Sequence, residues 1–402
     1  MMRNLILFDD EIRDNLLPLT YTRPVCELRV GVSTIREKWE RALDGKASFI
    51  TREYLTGKYP ITIGEDNLVI NGSVLPSPLL VRLIDELSVN EALVSNGDLV
   101  AARIPGNEFD SLIDGSFGDD IAGYSLQETP VKKLTHLWQI FTLCGEEIAE
   151  DFEHITKGRK SAALSGTNST IGEHPVFVEE GVWAEHVIFN TTKGPIYLGK
   201  NALIMEGSML RGPVAIGEGG VVKMGTKIYG ASSFGPFCKV GGEINNVVMQ
   251  AHSNKGHDGY LGNSVIGEWC NIGADANASN LKNTYSSVKL WSYAKEKFED
   301  TGLTFCGLIM GDHSKCGINT MFNTGTVVGV SANVYGAGFV RNFVPSFSWG
   351  GPQGMKTFNL DKAFETAEAV MSRRKIEFPD TEKSILSAVF EMSAVHRRWD
   401  KS

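Results

Sequence analysis

Apolar residues recur at every sixth position through much of the C-terminal half: Leu198, Ile204, Leu210, Ile216, Val222 and Ile228, with Phe234 and Val240 in the same register. An α-helix cannot hold that period on one face, because its turn of about 3.6 residues drifts away from it. A coil of three short strands can, since each side of a triangular prism is six residues long and sends one side chain inward at the same point. Glycines follow several of these positions, as in Leu198-Gly199 and Ile216-Gly217, where the chain is expected to turn sharply. The step resumes at Met310, Cys316, Phe322, Val328 and Val334, beside Gly311, Gly317 and Gly329. Ile266-Gly267 and Ile272-Gly273 share a phase displaced from that of Val240, which predicts an insertion between Val240 and Ile266.

The N-terminal part is patterned differently. Leu5 to Phe8, Ser48 to Thr51 and Asn67 to Asn71 read as buried strands, and Ser33 to Leu43 and Pro78 to Leu87 as helices. That alternation predicts an α/β, Rossmann-like domain with a largely parallel sheet. Asn96-Gly97-Asp98 lies between Ala92-Leu93-Val94 and Leu99-Val100-Ala101, a hairpin turn signal rather than a metal site. Beyond Ser348-Trp349-Gly350-Gly351-Pro352, helices are expected over about Asp361 to Arg374 and Thr381 to Arg398. In the first, Ala363, Phe364, Ala367, Val370 and Met371 form an apolar packing stripe. The division expected is residues 1–165, 166–354 and 355–402.

With 402 residues, 42% of them hydrophobic, the chain has material for more than one core. A net charge of −9 argues against general nucleic-acid binding, which needs clustered Lys and Arg, but leaves room for a local phosphate site. Apolar runs such as Leu5 to Phe8 are far shorter than a membrane span. Met1-Met2-Arg3 leads straight to Asp9, Asp10 and Glu11, unlike a secretory leader, so a cytoplasmic location is expected. Cys26, Cys144, Cys238, Cys270, Cys306 and Cys316 are scattered without metal-ligand spacing and read as reduced, packed thiols.

Lys255-Gly256-His257-Asp258-Gly259-Tyr260-Leu261-Gly262, then Ile266-Gly267 and Asn271-Ile272-Gly273-Ala274, resembles a motif of one family without a gap. This is the bifunctional N-acetylglucosamine-1-phosphate uridylyltransferase/glucosamine-1-phosphate N-acetyltransferase (GlmU-like) family, in a divergent form. The resemblance implies a nucleotidyltransferase-like first domain, a left-handed parallel β-helix of hexapeptide repeats, a homotrimer and an acetyl-CoA site between subunits. It implies general-base catalysis by His257, sugar-phosphate contacts by Tyr260, Asn280 and Lys227, and a thioester-lining role for Gly273 and Ala274. Leu281 replaces the family's tyrosine, Lys227 an arginine and Asn245 a lysine. The chemistry gives the histidine a purpose: the tetrahedral intermediate of amine acylation sheds a proton, and imidazole, with an ordinary pKa of about 6.5, accepts one near neutrality. The competing readings are a solvated loop histidine for His257 and a surface lysine for Lys227; His252 and His313 lack motif context and read as structural or exposed.

The first domain matches less well. Where the family opens with a glycine-rich phosphate loop, this chain has Asp9-Asp10-Glu11-Ile12-Arg13, either a cation site or a solvated acidic loop. Arg13, Pro18-Leu19-Thr20 and Arg23-Pro24 resemble the family's next elements, with Arg13 and Arg23 as nucleotide-binding candidates. Gly72 and Ser73 stand in the strand-end segment whose aspartate holds Mg²⁺ in the family, and a neutral hydroxyl is a poor sole anchor. The expected activity is acetyl transfer from acetyl-CoA to a hexosamine phosphate, most directly glucosamine 1-phosphate, with Mg²⁺-dependent joining of UTP and sugar phosphate as a second activity. The alternatives are a nucleotidyltransferase forming a UDP- or dTDP-sugar on a β-helical trimerisation scaffold, and a non-catalytic sugar-nucleotide-binding protein. Small molecules are the expected partners, with no nucleic acid and no membrane.

Overall fold

A computed structural model describes residues 4–109, 122–126 and 130–401, so Met1-Met2-Arg3 lie outside the described residues. The chain forms two compact units, one of residues 1–16, 23–28 and 33–135, the other of residues 17–22, 29–32 and 136–402.

The first unit is a six-stranded sheet in the order β2-β1-β3-β5-β4-β6. Its strands are β1 (Asn4–Phe8), β2 (Ala47–Ile50), β3 (Asp66–Asn71), β4 (Glu91–Ser95), β5 (Asp98–Pro105) and β6 (Ala122–Ser125). Leu5, Ile6 and Leu7 are all buried, as a central parallel strand requires. The helix Ile35–Ala42 starts at a capping box in which Thr34 accepts from the Glu37 amide and Glu37 returns to the Thr34 amide at 2.7 Å. Its buried Trp39 donates to the Val74 carbonyl at 2.8 Å. The sheet is largely parallel, as the alternation predicts, with β5 as its one antiparallel strand. Asn96 and Gly97, at φ 53° and 87°, make the tight turn between β4 and β5, and β5 then runs antiparallel to both β4 and β3.

The second unit is a parallel β-helix. Inward side chains stack along three lines, of which one runs Leu198, Ile216, Phe234, Met249, Ile266, Met310 and Val328. Another runs Val222, Val240, Lys255 and on to Ile272 and Cys316. The expected insertion between Val240 and Ile266 does not exist. The coil from Val240 to Lys255 is three residues shorter than the one before it, and this deletion shifts the repeat while the strands stay paired. The real excursion comes later, where Lys289–Ser292 and Lys297–Asp300 form an antiparallel hairpin before the coil resumes at Ile309.

Gly199, Gly217 and Gly235 serve close approach, not a left-handed turn. A Cβ on Gly217 would lie 2.7 Å from the Gly235 carbonyl carbon, and one on Gly235 only 1.6 Å from the Gln250 oxygen. The left-handed positions fall two residues later, at Asn201, Gly219, Phe237, His252, Trp269 and His313, with φ between 54° and 60°.

Residues 17–22 and 29–32 strap onto this coil. Thr22 donates to Asp312 at 2.6 Å, the Arg29 amide to the Gln250 side chain at 2.7 Å, and Ser233 to the Gly31 carbonyl at 2.5 Å. The tail helices run Leu360–Ser372 and Asp380–Met392, and Ala363, Ala367 and Met371 of the first are buried, as the stripe predicts. No helix among the described residues is long and apolar enough to cross a membrane.

Candidate functional site

One face of the coil carries a cleft of about 710 Å³. Its floor is set by the coil spacing: Gly256 and Gly273 directly follow the inward-facing Lys255 and Ile272, and Ala274 lines the cleft beside them. A Cβ on Gly273 would come within 2.4 Å of the Gly317 carbonyl, so nothing larger than glycine fits there. Five cations surround the floor: Lys223, Lys239 and Lys315 from the coil, Arg373 and Arg374 from the end of the first tail helix. Arg374 ties that end to the coil by donating to the Asn254 side chain at 3.1 Å and the Phe237 carbonyl at 3.2 Å. Burial pulls the Lys239 ammonium below the usual lysine range, and the charges of Arg374, Lys223 and Arg373 pull it further. Burial alone brings Lys315 down to about 8. Cations gathered around one floor give the cleft a positive potential that can attract an anion.

At the corner column the left-handed backbone stacks rings from successive coils. His252 lies 4.1 Å from Trp269 at an interplanar angle of 3°, and 5.2 Å from Phe237. Burial lowers the pKa of His252, favouring a neutral ring beside the cleft. His313 is buried at the end of the same stack, 6.4 Å from Trp269.

His257 also lines the cleft, on the short turn between the strands Asn254–Lys255 and Tyr260–Ile266, with its side chain exposed. The structure thus brings together His257, Gly273 and Ala274. Tyr260 leads onto the next face, where its hydroxyl accepts from the Asn280 amide at 2.9 Å and Asn280 also donates to Asn263 at 2.7 Å. Burial raises the Tyr260 pKa, against hydrogen bonds from Asn245 and Asn280. Lys227 is on that second face and outside the His257 cleft, two rungs from Tyr260 with Glu243 between them. It lines a groove of about 490 Å³ with Tyr229 and Glu243. Sequence reasoning missed Glu243, which accepts from the Tyr229 hydroxyl at 2.5 Å. Its signal was its place beside inward-facing Ile244, the same outward position as Lys227 beside Ile228.

In the first unit the candidates are spent on one another. Arg13 is buried and donates to Asp9 at 3.1 Å and Tyr54 at 2.9 Å. Asp9 also accepts from Thr51 at 2.6 Å and the Val25 amide at 2.8 Å. Burial raises its pKa, opposed by Arg13. Asp10 accepts from Lys133 at 2.7 Å and Asn71 at 2.8 Å, and Lys133 reaches Asp98 at 2.8 Å. Ser73 gives its hydroxyl to Asn71 at 2.6 Å, Gly72 packs against the Phe8 carbonyl and Cys26, and Arg23 is buried. These carboxylates already hold cationic and neutral donors, and no carboxylate, histidine or cysteine cluster of metal-binding size occurs among the described residues. The set does not fit Mg²⁺ as it stands.

Residues 5–160 match the family model for sugar nucleotidyl transferases. The Bifunctional protein GlmU of Methanocaldococcus jannaschii is 33% identical over 87 residues, 22% of this chain and 21% of that protein. The bifunctional sugar-1-phosphate nucleotidylyltransferase/acetyltransferase of Sulfurisphaera tokodaii is 31% identical over 102 residues, 25% of each chain. The match therefore spans no more than a quarter of these relatives' length. A UDP-N-acetylglucosamine acyltransferase structure from Bacteroides fragilis aligns with 56% of this chain and 96% of its own, at 12% identity and a TM-score of 0.30. Residues 5–160 thus resemble the sugar nucleotidyl transferases, and the chain is similar, at a distance, to the GlmU-like bifunctional proteins.

Proposed function

We propose that the protein transfers an acetyl group from acetyl-CoA to the amine of a hexosamine phosphate, most directly glucosamine 1-phosphate. The observation that carries this reading is a histidine in the cationic cleft, on the turn whose chain leads directly onto a second polar face. In the cleft lie five cations and an aromatic stack, suited to a phosphorylated thioester with a ring system. On the second face, Lys227, Glu243 and Tyr260 offer a cation for a phosphate, a carboxylate for an ammonium or hydroxyl, and a phenol. In this reading His257 takes the proton from the attacking amine, while backbone N–H groups near Gly273 and Ala274 steady the developing oxyanion. The exposed column of Ile188 and Met209 beside Lys227, with Ile171 on the neighbouring column, supports a second copy of the chain against this face, as in a homotrimer. No magnesium-dependent step is assigned to the first unit. The test is thiol release from acetyl-CoA that depends on glucosamine 1-phosphate. Pyrophosphate release from UTP or dTTP without thiol release would replace this reading by a nucleotidyltransferase, and tight binding without turnover by a sugar-nucleotide-binding protein.

The lowered Lys315 pKa makes a prediction about the donor. Below about 8 the free protein holds a protonated Lys315 that attracts phosphate; above it the amine is neutral and the attraction is lost. The KM for acetyl-CoA is expected to rise as the pH passes through that value, and Lys315→Met should raise KM at neutral pH and flatten the rise. A KM independent of pH in the wild type would remove Lys315 from donor binding.

A further inference from the structure

Lys255 occupies a position that the repeat otherwise gives to an apolar side chain. It pairs with Val240 on one coil, precedes Ile272 on the inward line of the next, and is only 1% exposed. Burying an ammonium among aliphatic groups is costly unless each of its donors finds an acceptor. Here the count closes: Nζ donates to the Gly241 carbonyl at 3.2 Å, to the Asp258 carbonyl at 3.0 Å and to the carbonyl of His257 itself. Two of those acceptors belong to the turn that carries the imidazole. That turn contains Gly256 and Gly259, the latter at φ 111°, so its own backbone does little to stiffen it.

We propose that Lys255 is a positioning residue, its ammonium reaching from inside the coil to clamp the His257–Asp258 backbone and fix the aim of the His257 imidazole. The inference rests on the reading of His257 as the general base. A methionine would fill the volume with an apolar chain suited to the lumen, so Lys255→Met is expected to keep the coil folded while freeing the turn. Burial also lowers the Lys255 pKa to about 8, against the charges of Asp258 and Asp275 and the Cys316 thiol that face it, so the clamp weakens as pH rises through that value.

Steady-state kinetics of the full chain, with acetyl-CoA and glucosamine 1-phosphate, test the proposal in wild type, Lys255→Met and His257→Ala. Lys255→Met should lower kcat about tenfold to a hundredfold, leave both KM values and the melting temperature near wild type, and abolish a fall in kcat above pH 8. Wild-type kcat in Lys255→Met alongside a dead His257→Ala would overturn the positioning role, as would a parallel loss of kcat, KM and melting temperature. Full activity in His257→Ala would instead sink the base assignment. Amide hydrogen exchange at residues 256–259 would then judge the clamp, faster in Lys255→Met if it exists and unchanged if it does not. Should Lys255→Met fail to fold, wild-type exchange must rise at this turn beyond the intrinsic base-catalysed increase as pH passes about 8; no local rise would reject the proposal.

Discussion

His257→Ala is expected to lower kcat for glucosamine 1-phosphate-dependent thiol release at least about a hundredfold while leaving the melting temperature unchanged. The amine must be neutral to attack the thioester carbonyl, and once the C–N bond forms, the nitrogen carries a proton that must leave before the C–S bond breaks productively. Without an imidazole, only water or buffer remains to take it, and a positioned base is worth about 10²- to 10⁴-fold. The fold should not notice, because the side chain is exposed on a turn and lies outside the stacked core. The KM for acetyl-CoA should hold, since the cations of the cleft are untouched. An unchanged kcat would remove His257 from the mechanism.

The second large effect is on stability. Gly235→Ala is expected to cost about 3 kcal/mol or more and to lower the melting temperature steeply, although the backbone angle of Gly235 suits any residue. The new methyl group would sit 1.6 Å from the Gln250 carbonyl oxygen and 2.7 Å from the Arg29 side chain, neither of which can retreat. That carbonyl belongs to the next coil, about 4.8 Å away by the spacing of paired strands. Arg29 is held by Gln250 in turn. Gly166→Ala is the control: nothing lies within 4 Å of its added carbon, and its melting temperature should match wild type. Equal melting of both variants would mean that the coils can part locally at little cost.

The fold was legible wherever one local signal decided it. The six-residue step of Leu198 through Ile228 admits hardly any other architecture, and Asn96-Gly97 dictates a hairpin by its backbone preference. The phase shift after Val240 was visible, but its sign was not: a deletion and an insertion displace the repeat alike, and only strand pairing separates them. Lys255 was hidden because an apolar pattern has no place for a lysine that faces inward with its ammonium capped. The motif around His257 pointed to the cleft with Gly273 and Ala274, yet the cations that complete it come from four other stretches of chain. In the first unit the acidic run looked like a cation site because sequence does not reveal that Lys133, more than a hundred residues away, already faces Asp10.

The straps at residues 17–22 and 29–32 bear on how the chain is made. Arg29 meets Gln250 across 221 residues of sequence, and Thr22 meets Asp312 across 290. On the ribosome these early segments emerge long before the coils that receive them, so they remain without partners while the intervening chain is translated. Pairings this distant in sequence close slowly. Completion of the second unit is thus a late event, and a fragment starting at residue 166 would carry coils whose first partners were never synthesised.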